Sequence, residues 1–337
     1  MIDLIKKLSC ANGTSGDESQ AIKVSVDEIS KYADTYVDKN GNVIAQMGNK
    51  NSDLHIMLDA HIDQVGFIVT DIDKNGFIKF SACGGIDNRI LPAMRVKILG
   101  KSIITGVIGS IPPHLTKSED KQVFEISELF IDTGMDKKSL TKVISLGDRI
   151  VFAQEPEALL NNRIAGPALD DRAGVACLIE CAKILSKYDL RCKLSIVFSV
   201  QEEIGLLGAR TAAYRLNPSE AILVDVSFAH QPMVQRDNCA HLSKGPMIGI
   251  APILSKSISQ EFISIAESKN IPYQLEVMSS STGTNADAVT VTRCGIPCGL
   301  LSIPLRYMHS PTEVIDQSDV RNTAVLISEY ILKRGDE

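Results

Sequence analysis

Two patterns of apolar and polar positions alternate along the chain. From residue 1 to about 62, and again from about 164, unbroken apolar runs ("LHIMLDA", "KLSIVFSV", "AILVDV", "PCGLLSIP") are separated by stretches with helical period. Those stretches include "DDRAGVACLIECAKILSKY", "SKSISQEFISIAESKN" and "QSDVRNTAVLISEYILKR". Apolar strands that lack polar alternation, separated by helices, predict an α/β unit with a mainly parallel sheet covered by helices on both faces. Between 63 and about 163 the texture changes to short alternating runs ("GFIVTDI", "GFIKFSA", "RVKILG", "TGVIGS", "DRIVFA"), rich in glycine and nearly free of helical period. "DKNGFI" adds an Asn-Gly hairpin signal. The expectation is a catalytic-type α/β domain of residues 1–62 and 164–337, interrupted at 63–163 by a small β-barrel or sandwich. "PPHLTKSEDKQV" reads as its most flexible loop.

Composition narrows the class. The chain has 337 residues, enough for two domains or for one with an insertion. A formal charge of -6 without any basic block argues against a nucleic-acid partner. No segment approaches the roughly 20 apolar residues of a membrane-spanning helix. The start, "MIDLIKKLSCANGTSGDESQ", lacks the apolar core of a signal peptide and predicts a short amphipathic helix followed by a loop, hence a cytoplasmic protein. Eight cysteines are scattered without a CxxC pair, and Cys294 and Cys298 have no partner pair elsewhere. Free, mostly buried thiols in a reducing compartment are expected.

The chemistry sits at the ends of the apolar runs. "LHIMLDAHID" brings His61 and Asp63, "GPALDDRAG" brings Asp170 and Asp171, and "SVQEEIG" brings Glu202 and Glu203. "AILVDVS" brings Asp225, and "SIPLRYMHSPTE" brings His309. Singly, each has an ordinary account: a satisfied strand-end histidine, a helix cap, a charged turn. Open α/β sheets gather ligands at the carboxyl ends of their strands, so five such segments converge on one edge. Two histidines with several carboxylates and no cysteine suit a pair of divalent cations of the zinc, cobalt or manganese type. A carboxylate left over would serve as general base, so adjacent Glu202 and Glu203 can divide the work, one on a metal and one on the water.

The motifs "AHIDQVGF", "ALDDRAG", "VQEEIGLLGA", "VDVSFA" and "RYMHSPTE", in this order, resemble the M42 family of metallo-aminopeptidases, some of whose members carry the label endoglucanase or cellulase M. The resemblance spans nearly the whole chain. It implies that His61, Asp170 and Asp225 hold one metal, and that Asp170, Glu203 and His309 hold the other, with Asp170 bridging. It also implies Glu202 as general base and Asp63 as the carboxylate behind His61 that fixes its tautomer. The substrate would be a peptide, cut at its N-terminal residue. Gln64 stands where many members have Glu, and "GTNADAV" at 283–289 replaces the commoner "GTDA"; both bear on substrate preference. A glycosidase is the rival reading, but with no Trp and 5% aromatic residues the chain lacks sugar platforms, and the two histidines would have no role. A non-catalytic metal-binding assembly protein is disfavoured by the presence of Glu202. The insertion supplies no proposed ligand. Small sheets expose edges, and pairing across subunits would cover them. The resemblance implies dimers that assemble into a hollow tetrahedral dodecamer.

Overall fold

The computed structural model describes residues 1–111, 123–234 and 239–336. Apart from Val123, the loop expected to be flexible lies outside them. The largest sheet has eight strands, in the spatial order Asp34–Val37, Val43–Gly48, Lys193–Ser199, His55–His61, Glu220–Phe228, Cys298–Leu305, Met247–Ile250, Gln274–Val277. Its four central members run parallel, with antiparallel neighbours on either side. His55–His61 and Cys298–Leu305 are buried at every position, which is why their sequences show apolar runs without alternation.

Helices Leu169–Leu185 and Gln317–Asp336 pack on one face of this sheet and share one apolar core with it. Leu207–Leu216 and the short Ala286–Val289 cover the other face. The mainly parallel, doubly covered sheet is the one the sequence predicts. Among the described residues no helix is long and apolar enough to cross a membrane.

Six strands between Gly66 and Phe152 close into a barrel in the order Gly66–Ile72, Ile78–Cys83, Phe130–Asp132, Ile103–Gly109, Arg95–Leu99, Arg149–Phe152. The barrel has its own core, in which Phe67 meets Phe80 and Phe152 edge-on at 5.1 and 5.6 Å. In the hairpin at "DKNGFI", the Asp73 carboxylate accepts from the backbone of Asn75 and Phe77, and Gly76 takes a φ of +97° that a side chain would resist. The strand Phe130–Asp132 and the helix Lys137–Leu140 are too short to have left a periodic signal. The closed barrel itself has no free edge, so the strand edge left among the described residues of 63–163 is that of Glu157–Ala158, outside the barrel.

The chain leaves the barrel into a three-stranded sheet, Glu157–Ala158, Arg163–Gly166 and Glu313–Asp316. All eight cysteines are free. Cys177, Cys181, Cys192 and Cys298 are buried as expected, whereas Cys10 and Cys294 are exposed.

Candidate active site

His61 ends the strand His55–His61, Asp225 lies near the end of Glu220–Phe228, and Glu202 and Glu203 follow the strand Lys193–Ser199. Asp170 opens the helix Leu169–Leu185, and His309 follows the strand Cys298–Leu305. The parallel strands all point their carboxyl ends the same way, so these five segments meet, and their side chains line one cavity of about 280 Å³.

The ligand atoms fall into two groups that share Asp170. His61, Asp170 and Asp225 form one, and Asp170, Glu203 and His309 the other; within each, the donor atoms all lie within 4.8 Å of one another. His61 Nε2 lies 3.1 Å from Asp170 Oδ1 and 3.9 Å from Asp225 Oδ1. His309 Nε2 lies 3.4 Å from Asp170 Oδ2 and 3.4 Å from Glu203 Oε2. The two oxygens of Asp170 thus face different groups. His61 Nδ1 is turned the other way, 3.2 Å from the Asp63 backbone carbonyl and 3.4 Å from its Oδ1.

The adjacency of Glu202 and Glu203 has a local cause. Gln201 takes a φ of +58°, and the backbone N–H groups of Gly205 and Leu206 both donate to the Glu202 carbonyl, so the chain turns beneath the pair instead of continuing as a strand. Asp63 holds that turn. Its Oδ1 accepts from Glu202 N at 2.9 Å, and its Oδ2 accepts from Glu203 N at 3.2 Å and from the Ser15 hydroxyl at 2.6 Å. Asp63 therefore does more than back His61: it fixes both glutamates as well.

One residue of the site was not legible as such. Glu313, inside the motif "RYMHSPTE", is buried; its Oε1 accepts from His309 N at 2.8 Å and its Oε2 from Asp170 N at 3.1 Å. It locks His309 and Asp170, which share a donor group, into register. Its spacing, four residues after His309, was the only available sign. Asp171, by contrast, turns away: its Oδ1 accepts from Gly174 N at 3.0 Å within the first turn of its helix. Asn285, in the unusual "GTNADAV" segment, donates to Asp59 Oδ2 at 2.7 Å and to the Ser199 hydroxyl at 2.9 Å, fastening Thr282, Gly283 and Thr284 along the cavity wall. Gln64 is buried, and its backbone pairs with Thr14 of the N-terminal loop.

The electrostatics follow from burial of so many carboxyls. Burial, reinforced by Asp170, pushes Glu203 up to about 10. Burial pushes Glu202 up to about 7, against the pull of His61, and Asp225 well above the usual carboxylate range. Asp170 is buried too, but hydrogen bonds with His309 and His61 outweigh that and hold it low. Burial opposes charge on His61, yet Asp170 and Asp63 hold its pKa well above the ordinary value. Two imidazoles cannot balance this many buried acids. One oxygen of Glu203 is buried without any hydrogen-bond partner. Nitrogen and carboxylate donors, a surplus of buried carboxyl groups that would ionise beside cations and an orphaned carboxylate oxygen fit a pair of divalent cations.

The sequence profile of M42 glutamyl aminopeptidases matches residues 41–326. The chain belongs to that family. A lysyl aminopeptidase of Pyrococcus furiosus is 36% identical, the match covering 96% of this chain and 94% of that protein. An aminopeptidase of the archaeon Desulfurococcus kamchatkensis is similar in structure, with a TM-score of 0.93 and 35% identity over 98% of this chain and 94% of that one. A Pyrococcus horikoshii TET1 peptidase, which can assemble into a tetrahedron or a large octahedral shell, gives a TM-score of 0.88 at 32% identity over 98% and 99%. This M42 chain is thereby an aminopeptidase of a metal-dependent family, a hydrolase acting on peptides.

Proposed function

We propose that this M42 protein is a binuclear metal-dependent aminopeptidase that removes N-terminal residues from short peptides, with Glu202 as general base. The observation that carries this is the sharing of Asp170 between two donor groups, with Glu202 lining the same cavity but belonging to neither. His61, Asp170 and Asp225 would hold one cation, and Asp170, Glu203 and His309 the other. Two divalent cations, zinc or cobalt by preference and manganese as a further fit, supply Lewis acidity for the scissile carbonyl and the attacking water.

The protein's own groups handle the protons. Glu202 takes a proton from water as the water oxygen adds to the carbonyl carbon. The C–N bond then breaks, and Glu202 passes that proton to the departing amine nitrogen. Asp63 keeps Glu202 and Glu203 in position through their backbone N–H groups. Glu313 keeps Asp170 and His309 at a fixed separation.

In this reading residues 1–62 and 164–337 form the catalytic unit, and 63–163 the unit through which copies associate. Self-association would build dimers and then a tetrahedral dodecamer that admits short or unfolded peptides, as the shell-forming relative suggests. The test is a screen of aminoacyl p-nitroanilides beside a soluble cellulose derivative, with chelator and metal re-addition. Cleavage of the anilides that is lost to chelator and restored by metal is expected. Cleavage of the polysaccharide alone, surviving the chelator, would overturn the reading in favour of a glycosidase.

A further inference from the structure

The wall of the catalytic cavity leads to a carboxylate that the hydrolysis does not use. Asp225 and Ser302 are register partners on adjacent parallel strands, and Ser227, two residues beyond Asp225, lies on the same side of the sheet. The Ser302 hydroxyl donates to Glu276 Oε2 at 2.7 Å, and the Ser227 hydroxyl, on the cavity wall, donates to Glu276 Oε1. Glu276 comes from the edge strand Gln274–Val277, two strands away from Ser302. It reaches across because its register partner on the intervening strand is Gly249, which has no side chain there.

Glu276 is half-buried, and its two oxygens are met by hydroxyls alone; no cationic side chain among the described residues pairs with it. No Lys or Arg among the described residues lines the cavity. Phe228, Met308, Thr282 and Thr284 also line this cavity. A cavity with apolar lining and a hydroxyl-held carboxylate directly behind its wall at Ser227 matches a side chain with an aliphatic stem and a cationic tip.

Resting on the aminopeptidase reading, we propose that Glu276 is a specificity determinant that selects peptides whose N-terminal residue is lysine or arginine, by receiving the side-chain ammonium or guanidinium behind Ser227. A partly desolvated charge pair of this kind discriminates more strongly than an apolar pocket does, because a neutral side chain leaves the carboxylate without its partner.

The test compares lysyl, norleucyl and glutamyl p-nitroanilides on the metal-loaded full chain, parent and Glu276→Gln. Lysine and norleucine share the stem and differ in the ammonium. The parent should prefer lysyl to norleucyl and glutamyl substrates in kcat/KM. Glu276→Gln should lower the lysyl-to-norleucyl ratio by roughly 10- to 100-fold, the worth of a hydrogen-bonded charge. A parent ratio at or below one overturns the proposal without any variant, so a misfolded variant cannot rescue it. A ratio unchanged in Glu276→Gln also overturns it. Equal losses on all three substrates would assign Glu276 to the shared α-ammonium and sink the side-chain role. Failure to cleave any anilide with metal present removes the aminopeptidase reading and this proposal together, whereas indiscriminate cleavage removes only this one.

Discussion

Side by side in sequence, Glu202 and Glu203 are separated in placement by one turn of backbone. Glu203 stands in a donor group with Asp170 and His309, while Glu202 stands in neither group. Replacing each by glutamine should therefore have opposite signatures. Glu202→Gln preserves size but cannot accept the water's proton, so metal content should persist while turnover falls roughly 10²- to 10⁴-fold. Glu203→Gln should instead release a metal. Metal analysis paired with kinetics checks both, and near-normal turnover in Glu202→Gln removes it as the base. Asp170 carries a different expectation. Because its two oxygens serve different groups, Asp170→Ala should weaken both sites together, and two ions retained per chain in that variant would contradict a shared ligand.

At the scale of the element, the strand His55–His61 carries a histidine at each end, in unlike settings. His61 sits among carboxylates; His55, at the other end, bonds the Ser195 hydroxyl at 2.9 Å. Burial, aided by nearby Lys193, lowers the pKa of His55 to about 4. The unfolded chain takes up this proton near its ordinary value of about 6.5, so the unfolded state binds more protons between that pH and 4. Stability from this residue is thus complete above about 6.5 and is lost as pH falls toward 4. The change across the window is on the order of 3 kcal/mol. His55→Gln should flatten the difference in urea midpoint between pH 7 and pH 4.5, and an unaltered pH slope would count against the assignment. Strands such as this one were legible because burial on both faces writes itself as an unbroken apolar run, and the candidate donor residues stood out because they lie at the ends of such runs. Glu313 and Glu276 were not. The first acts through backbone groups, one of them, Asp170 N, 143 residues away, and the second lies on a four-residue edge strand, "QLEV", whose polar positions look like any solvated edge. Phe130–Asp132 closes the barrel with three residues, too few to show a period.

For the molecule as a whole, the barrel carries outward apolar groups that its own core does not absorb. Ile103 is 52% exposed and Val107 45%, both on the strand Ile103–Gly109, and Leu146 is 65% exposed. Ile103 and Val107 project from the same side of one strand, and exposed apolar side chains so placed mark a contact with another copy more readily than they mark solvent. The expected solution state is a dodecamer in equilibrium with dimers. Ile103→Asp combined with Val107→Asp should shift light scattering toward smaller species while metal content holds. A parent that stays monomeric while metallated and active would end the cage hypothesis.

The strand order of the large sheet also sets a schedule for the nascent chain. The barrel is built from one contiguous stretch, Gly66 to Phe152, and needs nothing downstream to close. The strand Cys298–Leu305 comes late in the sequence yet lies inside the sheet, between Glu220–Phe228 and Met247–Ile250. Synthesis runs from the amino end, so a ribosome must deliver nearly the whole polypeptide before that gap is filled and His309 arrives. Until then the half-made enzyme should be a protease-resistant barrel tethered to an open sheet, incapable of hydrolysis. Chains truncated at residue 290 should keep 66–111 and 123–152 resistant under limited proteolysis, and digestion of those segments as fast as the remainder would refute the schedule. Delayed completion of this kind keeps an enzyme that cuts N-termini inert while its own synthesis is under way.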